Sequence, residues 1–187
     1  MGEIEKYLRE IQELIKEVDA DEVKHILYIL LNARDKGRHI YVFGNGGSAA
    51  TAMHFACDLG KSTVKQSSDL EERRFRITAL TGNISTMTAY ANDLSYGDVF
   101  SQQLMNVLVP DDVVIGISVS GNSRNVLNAV KLAKAKGAIV IGLSGFDGGG
   151  LDRLVDSGIV VRGNDFGQVE DIHGMILHLV THILKER

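Results

Sequence analysis

His39-Ile40-Tyr41-Val42-Phe43-Gly44-Asn45-Gly46-Gly47-Ser48-Ala49-Ala50 is the stretch on which the fold turns. His39 to Phe43 is a short apolar run of buried-strand length. Glycines then turn the chain, and small residues open a helix that runs through Leu59. Working outward, the same kind of apolar run recurs at Phe75 to Leu80, Val113 to Ile117, Ile139 to Leu143 and Ile159 to Val161, each pair separated by a helix-length segment. Strands that alternate with helices, with little polar alternation of their own, predict an α/β protein whose parallel sheet is covered on both faces.

Five such strands suit a flavodoxin-like order, a three-layer sandwich in which ligands bind beyond the carboxyl ends of the strands. The loops after each strand are therefore where chemistry is expected. Ahead of the sheet, Ile4, Leu8, Ile11, Ile15 and Val18 recur at steps of four and three, one stripe of an amphipathic helix of about five turns. So narrow a stripe suits either pairing between subunits or packing onto its own domain. A second helix is expected from Asp21, its cap, to Lys36. Val23, Ile26, Leu27, Leu30 and Leu31 form its apolar face and Gly37 its stop. The polar, aperiodic stretch from Ser62 to Arg74 reads as a mobile surface loop and a lid candidate.

Composition narrows the function classes. A chain of 187 residues fits one domain, and 20 glycines with a single proline concentrate the irregularity in glycine loops. Twenty Lys and Arg against 24 Asp and Glu give a formal charge of −4 with no basic cluster, so direct nucleic-acid binding is not expected. Cys57 is the only cysteine, which excludes a disulfide framework or thiolate metal cluster within one chain and points to a cytoplasmic setting. The charged N-terminus and the lack of any apolar run of about 18 residues argue against secretion or a membrane span.

Amide hydrogens at the helix start after Gly44 to Ala50 suit anions or polar oxygens. The stretch also fits a dinucleotide fingerprint, but the acid required about 20 positions on, at the end of a second strand, is missing. Asp69 lies in the polar loop instead, and no Gly-Lys-Ser/Thr of a P-loop follows. After the third strand, Ser118-Val119-Ser120-Gly121-Asn122-Ser123-Arg124-Asn125 gathers three hydroxyls and several amides at the mouth of a helix. That array matches the three oxygens of a phosphomonoester. The plainer alternative is a Ser123 cap with turn bonds. His54 and Asp58, four apart, share a helix face. Glu170, Gly174 and His178 follow at four-residue steps on the last helix, the glycine leaving space between an acid and an imidazole, with His173 and His182 as competing histidines. Asn92-Asp93 and Asp147-Gly148-Gly149-Gly150 are consistent with turn chemistry alone.

Gly44-Asn45-Gly46-Gly47-Ser48 together with Ser118-x-Ser120-Gly121-Asn122-Ser123 resembles the sugar isomerase (SIS) domain superfamily, in particular its sedoheptulose-7-phosphate isomerase group, nearly end to end. The resemblance implies one SIS domain over residues 1–187. Its helical segment 1–37 would join a homotetramer with active sites at subunit contacts. It implies that Asn45, Gly46, Gly47, Ser48, Asn92, Asp93 and Glu170 contact the substrate, and that Ser118, Val119, Ser120 and Ser123 hold its phosphate. Asp58 and His178 would be the acid/base pair of an aldose–ketose isomerisation through an enediolate. His54, Asp58, Glu170 and His178 would hold a divalent metal, zinc by preference. Three positions depart from the family pattern: Asp58 replaces Glu, Glu170 replaces Gln and Val119 replaces Thr. The valine keeps its amide for phosphate. The shorter Asp58 and the added charge of Glu170 bear on the chemistry itself, and two His with two carboxylates form a good set for a divalent ion. The alternative is a non-catalytic SIS module that binds a phosphosugar or a protein such as a replication initiator. Ala49-Ala50 and Ser123-Arg124 resemble members of that kind.

Overall fold

The computed structural model describes residues 2–187. Two helices come first, α1 (Glu3–Lys16) and α2 (Ala20–Asp35). β1 (His39–Gly44), α3 (Gly46–Ser62), β2 (Arg76–Ala79), α4 (Ile84–Asp93), a 3-10 turn at Tyr96–Asp98 and α5 (Val99–Val107) follow. The second half comprises β3 (Val113–Ser118), α6 (Arg124–Ala135), β4 (Ile139–Gly145), the short α7 (Gly149–Asp152), β5 (Ser157–Val161) and α8 (Phe166–Lys185). The five strands pair in parallel in the order β2-β1-β3-β4-β5, the flavodoxin-like sandwich that the apolar runs predict.

Each face of the sheet has its own core. Ile40, Val42, Ile115, Ile117, Ile141 and Leu143 project onto Leu30 of α2, Phe55 and Leu59 of α3, and Ile172 and Ile176 of α8. Val114 and Val140 face the other way with Phe43, onto Phe100 and Leu104 of α5, Val126 and Val130 of α6 and Leu151 of α7. Phe43 and Phe100 stack with ring centres 4.8 Å apart. The strand order reverses at the parallel pair β1 and β3, where Gly44 and Ile117 are direct ladder partners, and the glycine and serine loops that follow them lie side by side.

Local chemistry sets the element ends. α2 is capped by Asp19, not Asp21: the Asp19 carboxylate accepts the Asp21 amide at 2.8 Å and the Glu22 amide at 3.4 Å. Asp21 pairs instead with Lys24. Gly37 ends α2 as expected, at φ +66°, with the Arg38 amide bonded to the Ala33 carbonyl. α1 stops at Lys16, short of the expected five turns, and buries none of its residues. Ile4, Leu8 and Ile15 are exposed, Ile4 at 74%, and Leu14 is the residue of α1 that packs against the core. The stripe is thus divided: Ile4, Leu8 and Ile15 are left uncovered by their own domain, while Val18 at its end packs against the core.

The stretch after α3 corrects the lid expectation. α3 starts at the carboxyl ends of the strands and runs back, so residues 63–75 begin at the opposite edge of the sheet. The Lys65 ammonium bonds the Lys185 carbonyl there, Arg73 the Asp35 carbonyl at 3.0 Å, and Arg76 the Gly37 carbonyl at 3.0 Å. A segment pinned to the amino ends of the strands does not cover the serine loop of its own chain. Among the described residues, no helix is long and apolar enough to cross a membrane.

Candidate active site

β3 ends at Ser118 and delivers the serine loop to the start of α6. Gly121 adopts φ +64°, its amide donates to the Ser118 carbonyl at 2.8 Å, and a Cβ there would lie 2.1 Å from the Gly148 carbonyl oxygen. Only glycine fits that turn. The Asn122 amide group donates to the Ser120 carbonyl at 2.9 Å, its side-chain oxygen accepts the Gly150 amide at 3.0 Å, and its backbone amide donates to Ser120 Oγ at 3.2 Å. The glycines after β4 thus brace the loop from behind, which is the role of Asp147–Gly150. The Asp147 carboxylate accepts the Gly149 amide at 3.1 Å. Ser123 stands at the cap of α6 without a side-chain cap bond; its hydroxyl meets that of Ser118 at 3.0 Å instead. The plain capping alternative is therefore not realised, and both hydroxyls sit at the first turn of α6, where the Val126 amide donates to Asn125 Oδ1 at 3.0 Å.

The glycine turn lies alongside. Asn45, at the cap of α3, makes a reciprocal amide pair with Asn125, 2.8 Å in each direction, and accepts the Tyr96 hydroxyl at 2.8 Å. These contacts lock the two loops together. Nothing in the sequence singled out Asn125 or Tyr96 for this; the signal, an amide at the start of α6 facing an amide at the start of α3, exists only once β1 and β3 are neighbours. Ser48 is buried, and Glu170 of α8 lies so close to Gly47 that a Cβ there would meet its carboxylate at 2.3 Å. Asn45 and Ser48, the serine loop from Ser118 to Ser123 with Val119, and Phe166 and Glu170 of α8 enclose a pocket of about 140 Å³. Its one charged lining group is the Glu170 carboxylate.

Farther along the α3–α8 seam, His54, Asp58 and His178 converge. Asp58 Oδ2 is 3.2 Å from His54 Nε2 and 3.7 Å from His178 Nε2, and the two imidazole nitrogens are 3.4 Å apart. Donors at about 2.0–2.2 Å from a zinc ion stand about 3.3–3.6 Å apart at the corners of a tetrahedron. The observed triangle fits one face of such a site, and two imidazoles with a carboxylate are donors that zinc accepts. The imidazoles are more than half exposed and Asp58 is 27% exposed. Of the four expected ligands the chain brings three together. Glu170 lies two turns before His178, about 12 Å along the helix, and keeps to the serine pocket.

The remaining expected residues fall elsewhere. Asn92 donates to Asp93 at 2.8 Å at the exposed end of α4, and neither lines the pocket or the His54–Asp58–His178 recess. His173 is fully buried, donates from Nε2 to the Ser144 carbonyl at 3.0 Å, and is pushed down to about 4 by burial. It tethers α8 to the end of β4. His182 is exposed in the last turn of α8.

Residues 6–145 match the family described as SIS domain. The probable phosphoheptose isomerase of Thermoplasma acidophilum is 36% identical over 182 residues, 97% of each chain. The phosphoheptose isomerase of Aliarcobacter butzleri is 40% identical over 157 residues, 83% of this chain and 80% of its own. The structure of a phosphoheptose isomerase from Neisseria gonorrhoeae superposes with a TM-score of 0.87 at 29% identity, covering 98% of this chain and 95% of that one. A fold with the serine and glycine loops at the β1/β3 reversal, and relatives of this similarity over nearly the whole length, place the chain in the SIS domain family, among the phosphoheptose isomerases.

Proposed function

We propose that the chain interconverts the aldose and ketose forms of a sugar phosphate, a heptose phosphate as its relatives' names have it, with sedoheptulose 7-phosphate as the substrate. The observation that carries this reading is the spacing of two groups along one helix seam. A pocket of hydroxyls and amides closes around the Glu170 end of α8, and a carboxylate–imidazole group stands two turns on, at His178. Ser118, Ser120 and Ser123, with the Val119 backbone and the first-turn amides of α6, hold the phosphate. Asn45, Gly46, Gly47, Ser48 and Glu170 receive sugar hydroxyls; Asn92 and Asp93, which line neither pocket nor recess of their own chain, would meet the sugar only in an assembly.

Asp58 removes the proton alpha to the carbonyl to give an enediolate, and His178 moves protons at the two oxygens. The closest contacts of both imidazoles fall on Asp58 Oδ2, which leaves Oδ1 to take the proton. A zinc ion held by His54, Asp58 and His178 would polarise the carbonyl and supply positive charge beside the enediolate oxygens; held through His178 Nε2, it would leave Nδ1 of that ring for the protons. The exposed Ile4–Leu8–Ile15 face supports association through segment 1–37; the assembly we infer is a homotetramer in which Glu170 completes a metal set across subunits, of a cytoplasmic protein acting as one SIS domain.

The test is proton exchange. Zinc-loaded protein should wash solvent deuterium into heptose phosphates at the carbon alpha to the carbonyl. No exchange across several sugar phosphates, with tight binding of a replication initiator instead, would move the assignment to a binding module.

A further inference from the structure

The glycines of this chain have physical reasons, with one exception. Every glycine among the described residues except Gly174 either adopts a positive φ or has a neighbouring atom within 4 Å of where a Cβ would stand. Gly174 sits in the middle of α8 with a helical backbone, and a Cβ there would meet nothing within 4 Å. Neither conformation nor packing within the single chain calls for it. A glycine in a helix interior weakens the helix relative to alanine, so an unneeded one is a standing cost to stability. What it leaves is space. Gly174 lines a recess of about 40 Å³ whose other walls are Thr51, His54, Phe55 and Asp58 of α3 and Leu177 and His178 of α8.

We propose that Gly174 is a specificity-determining residue that keeps this recess open for the reacting end of an open-chain sugar phosphate, against Asp58 and His178. The proposal rests on the isomerase reading of the same site and adds to it which form of the sugar enters. The recess is small beside the serine pocket, about 40 Å³ against about 140 Å³, so it suits one end of an open chain and not a whole sugar phosphate. Helical side chains lean towards the N-terminus, so the His178 imidazole lies over the turn that Gly174 occupies. A Cβ at 174 would stand in the open recess without touching that imidazole, whereas a longer side chain would fill the space the ligand needs. Along α8 the order is then Glu170 at the phosphate pocket, the gap at Gly174, and His178 beyond it, at steps of about 6 Å.

Gly174→Ala and Gly174→Leu, each compared with the unmodified protein, test this by four readings: thermal midpoint, sedimentation, calorimetric Kd for inorganic phosphate and for sedoheptulose 7-phosphate, and kcat/KM. Gly174→Ala should raise Tm by about 2–4 °C, leave the assembly intact and leave the Kd of inorganic phosphate within about twofold. Its kcat/KM should fall at least tenfold, and that of Gly174→Leu by about 10²-fold or more, with the loss appearing in the Kd of the sugar phosphate. Gain of stability with loss of function is the combination that a packing role does not produce. If the unmodified protein binds the sugar phosphate without turning it over, the isomerase reading fails, while a selective loss of that binding in the variants still upholds the recess. Unchanged sugar-phosphate binding and turnover in both variants, a lowered Tm or dissociated assembly for Gly174→Ala, or unmodified protein that binds sugar phosphate no better than inorganic phosphate, each overturns the proposal.

Discussion

Acidifying the protein from pH 7 to pH 4 should cost it about 3 kcal/mol through His173 alone. Burial lowers this imidazole from its ordinary 6.5 to about 4 in the folded chain. Above pH 6.5 it is neutral in both states and contributes nothing to the slope. Between 6.5 and about 4 the unfolded chain takes up a proton that the folded chain refuses, so the unfolded state binds more protons and stability falls as pH falls. Below about 4 both states are protonated and the loss levels off. At about 1.4 kcal/mol per pH unit, the loss reaches about 2 kcal/mol at pH 5 and about 3 kcal/mol at pH 4. That is a large share of the ~5–15 kcal/mol that holds a typical domain together. Carboxylates titrate in the same range, so the measurement is a difference. His173→Gln keeps an N–H to donate to the Ser144 carbonyl but has no proton to gain. Urea denaturation of both proteins at pH 7, 5 and 4 should show the native chain losing about 3 kcal/mol more than the variant. Parallel stability curves would refute the argument, because they would mean that water or a proton reaches His173 in the folded state.

Asp58→Asn should reduce deuterium exchange into the substrate by about 10²–10⁴-fold while inorganic phosphate still binds at the serine loop; equal exchange rates in a single-turnover assay would remove Asp58 from the chemistry. Gly121→Ala forces a side chain to φ +64° and onto the Gly148 carbonyl. It should therefore lower stability by about 1–3 kcal/mol or more and weaken phosphate binding with it, as read by denaturation and calorimetry. Leu8→Glu places a charge on the exposed α1 stripe; light scattering should show a smaller assembly, with the thermal midpoint of the subunit core little changed.

The sheet was legible because strands buried on both faces are apolar along nearly their whole length, as β1, β3 and β4 are apart from His39, Ser118 and Ser144 near their ends. The ends of the edge strands were less so. β2 is shorter at both ends than its apolar run because it has one neighbour and stops where the ladder with β1 stops, at Val42↔Ala79. β5 starts earlier than its apolar run, since Ser157 and Gly158 join the ladder through backbone groups that no side-chain pattern reports. At the site, residues close in sequence could be paired from sequence: His54 with Asp58 by helical period, Ser118 with Ser120 and Ser123 by one loop. The arrival of His178 beside Asp58 came from family resemblance, because 120 residues separate them. The Asn45–Asn125–Tyr96 link was invisible for the same reason. Glu170 shows the limit in the other direction: the four-residue steps put it on the face of His178, but two turns of helix keep the two groups apart.

The two halves of the site are built to different degrees of completion within one chain. The serine pocket is braced by hydrogen bonds from three loops and opens between buried strands. The catalytic pair we assign is instead more exposed, with the His178 side chain at 59% and Asp58 at 27%. Enediolate chemistry gains from the exclusion of water, which strengthens local electrostatics and prevents loss of the intermediate. Residues 63–75, the lid expected from the sequence, are fixed at the far edge of the sheet. What this chain does present is an apolar stripe on α1, which is held along α8 by Tyr7 to Asp171 at 3.4 Å and by Gln168 to Glu10 at 2.9 Å. Assembly through that stripe would bring a second surface up to the helix that carries Glu170, Gly174 and His178. Under the proposed reaction, then, phosphate binding is a property of the single chain and turnover a property of the assembly. The Leu8→Glu protein should separate them, retaining inorganic phosphate affinity while its turnover falls with the fraction dissociated.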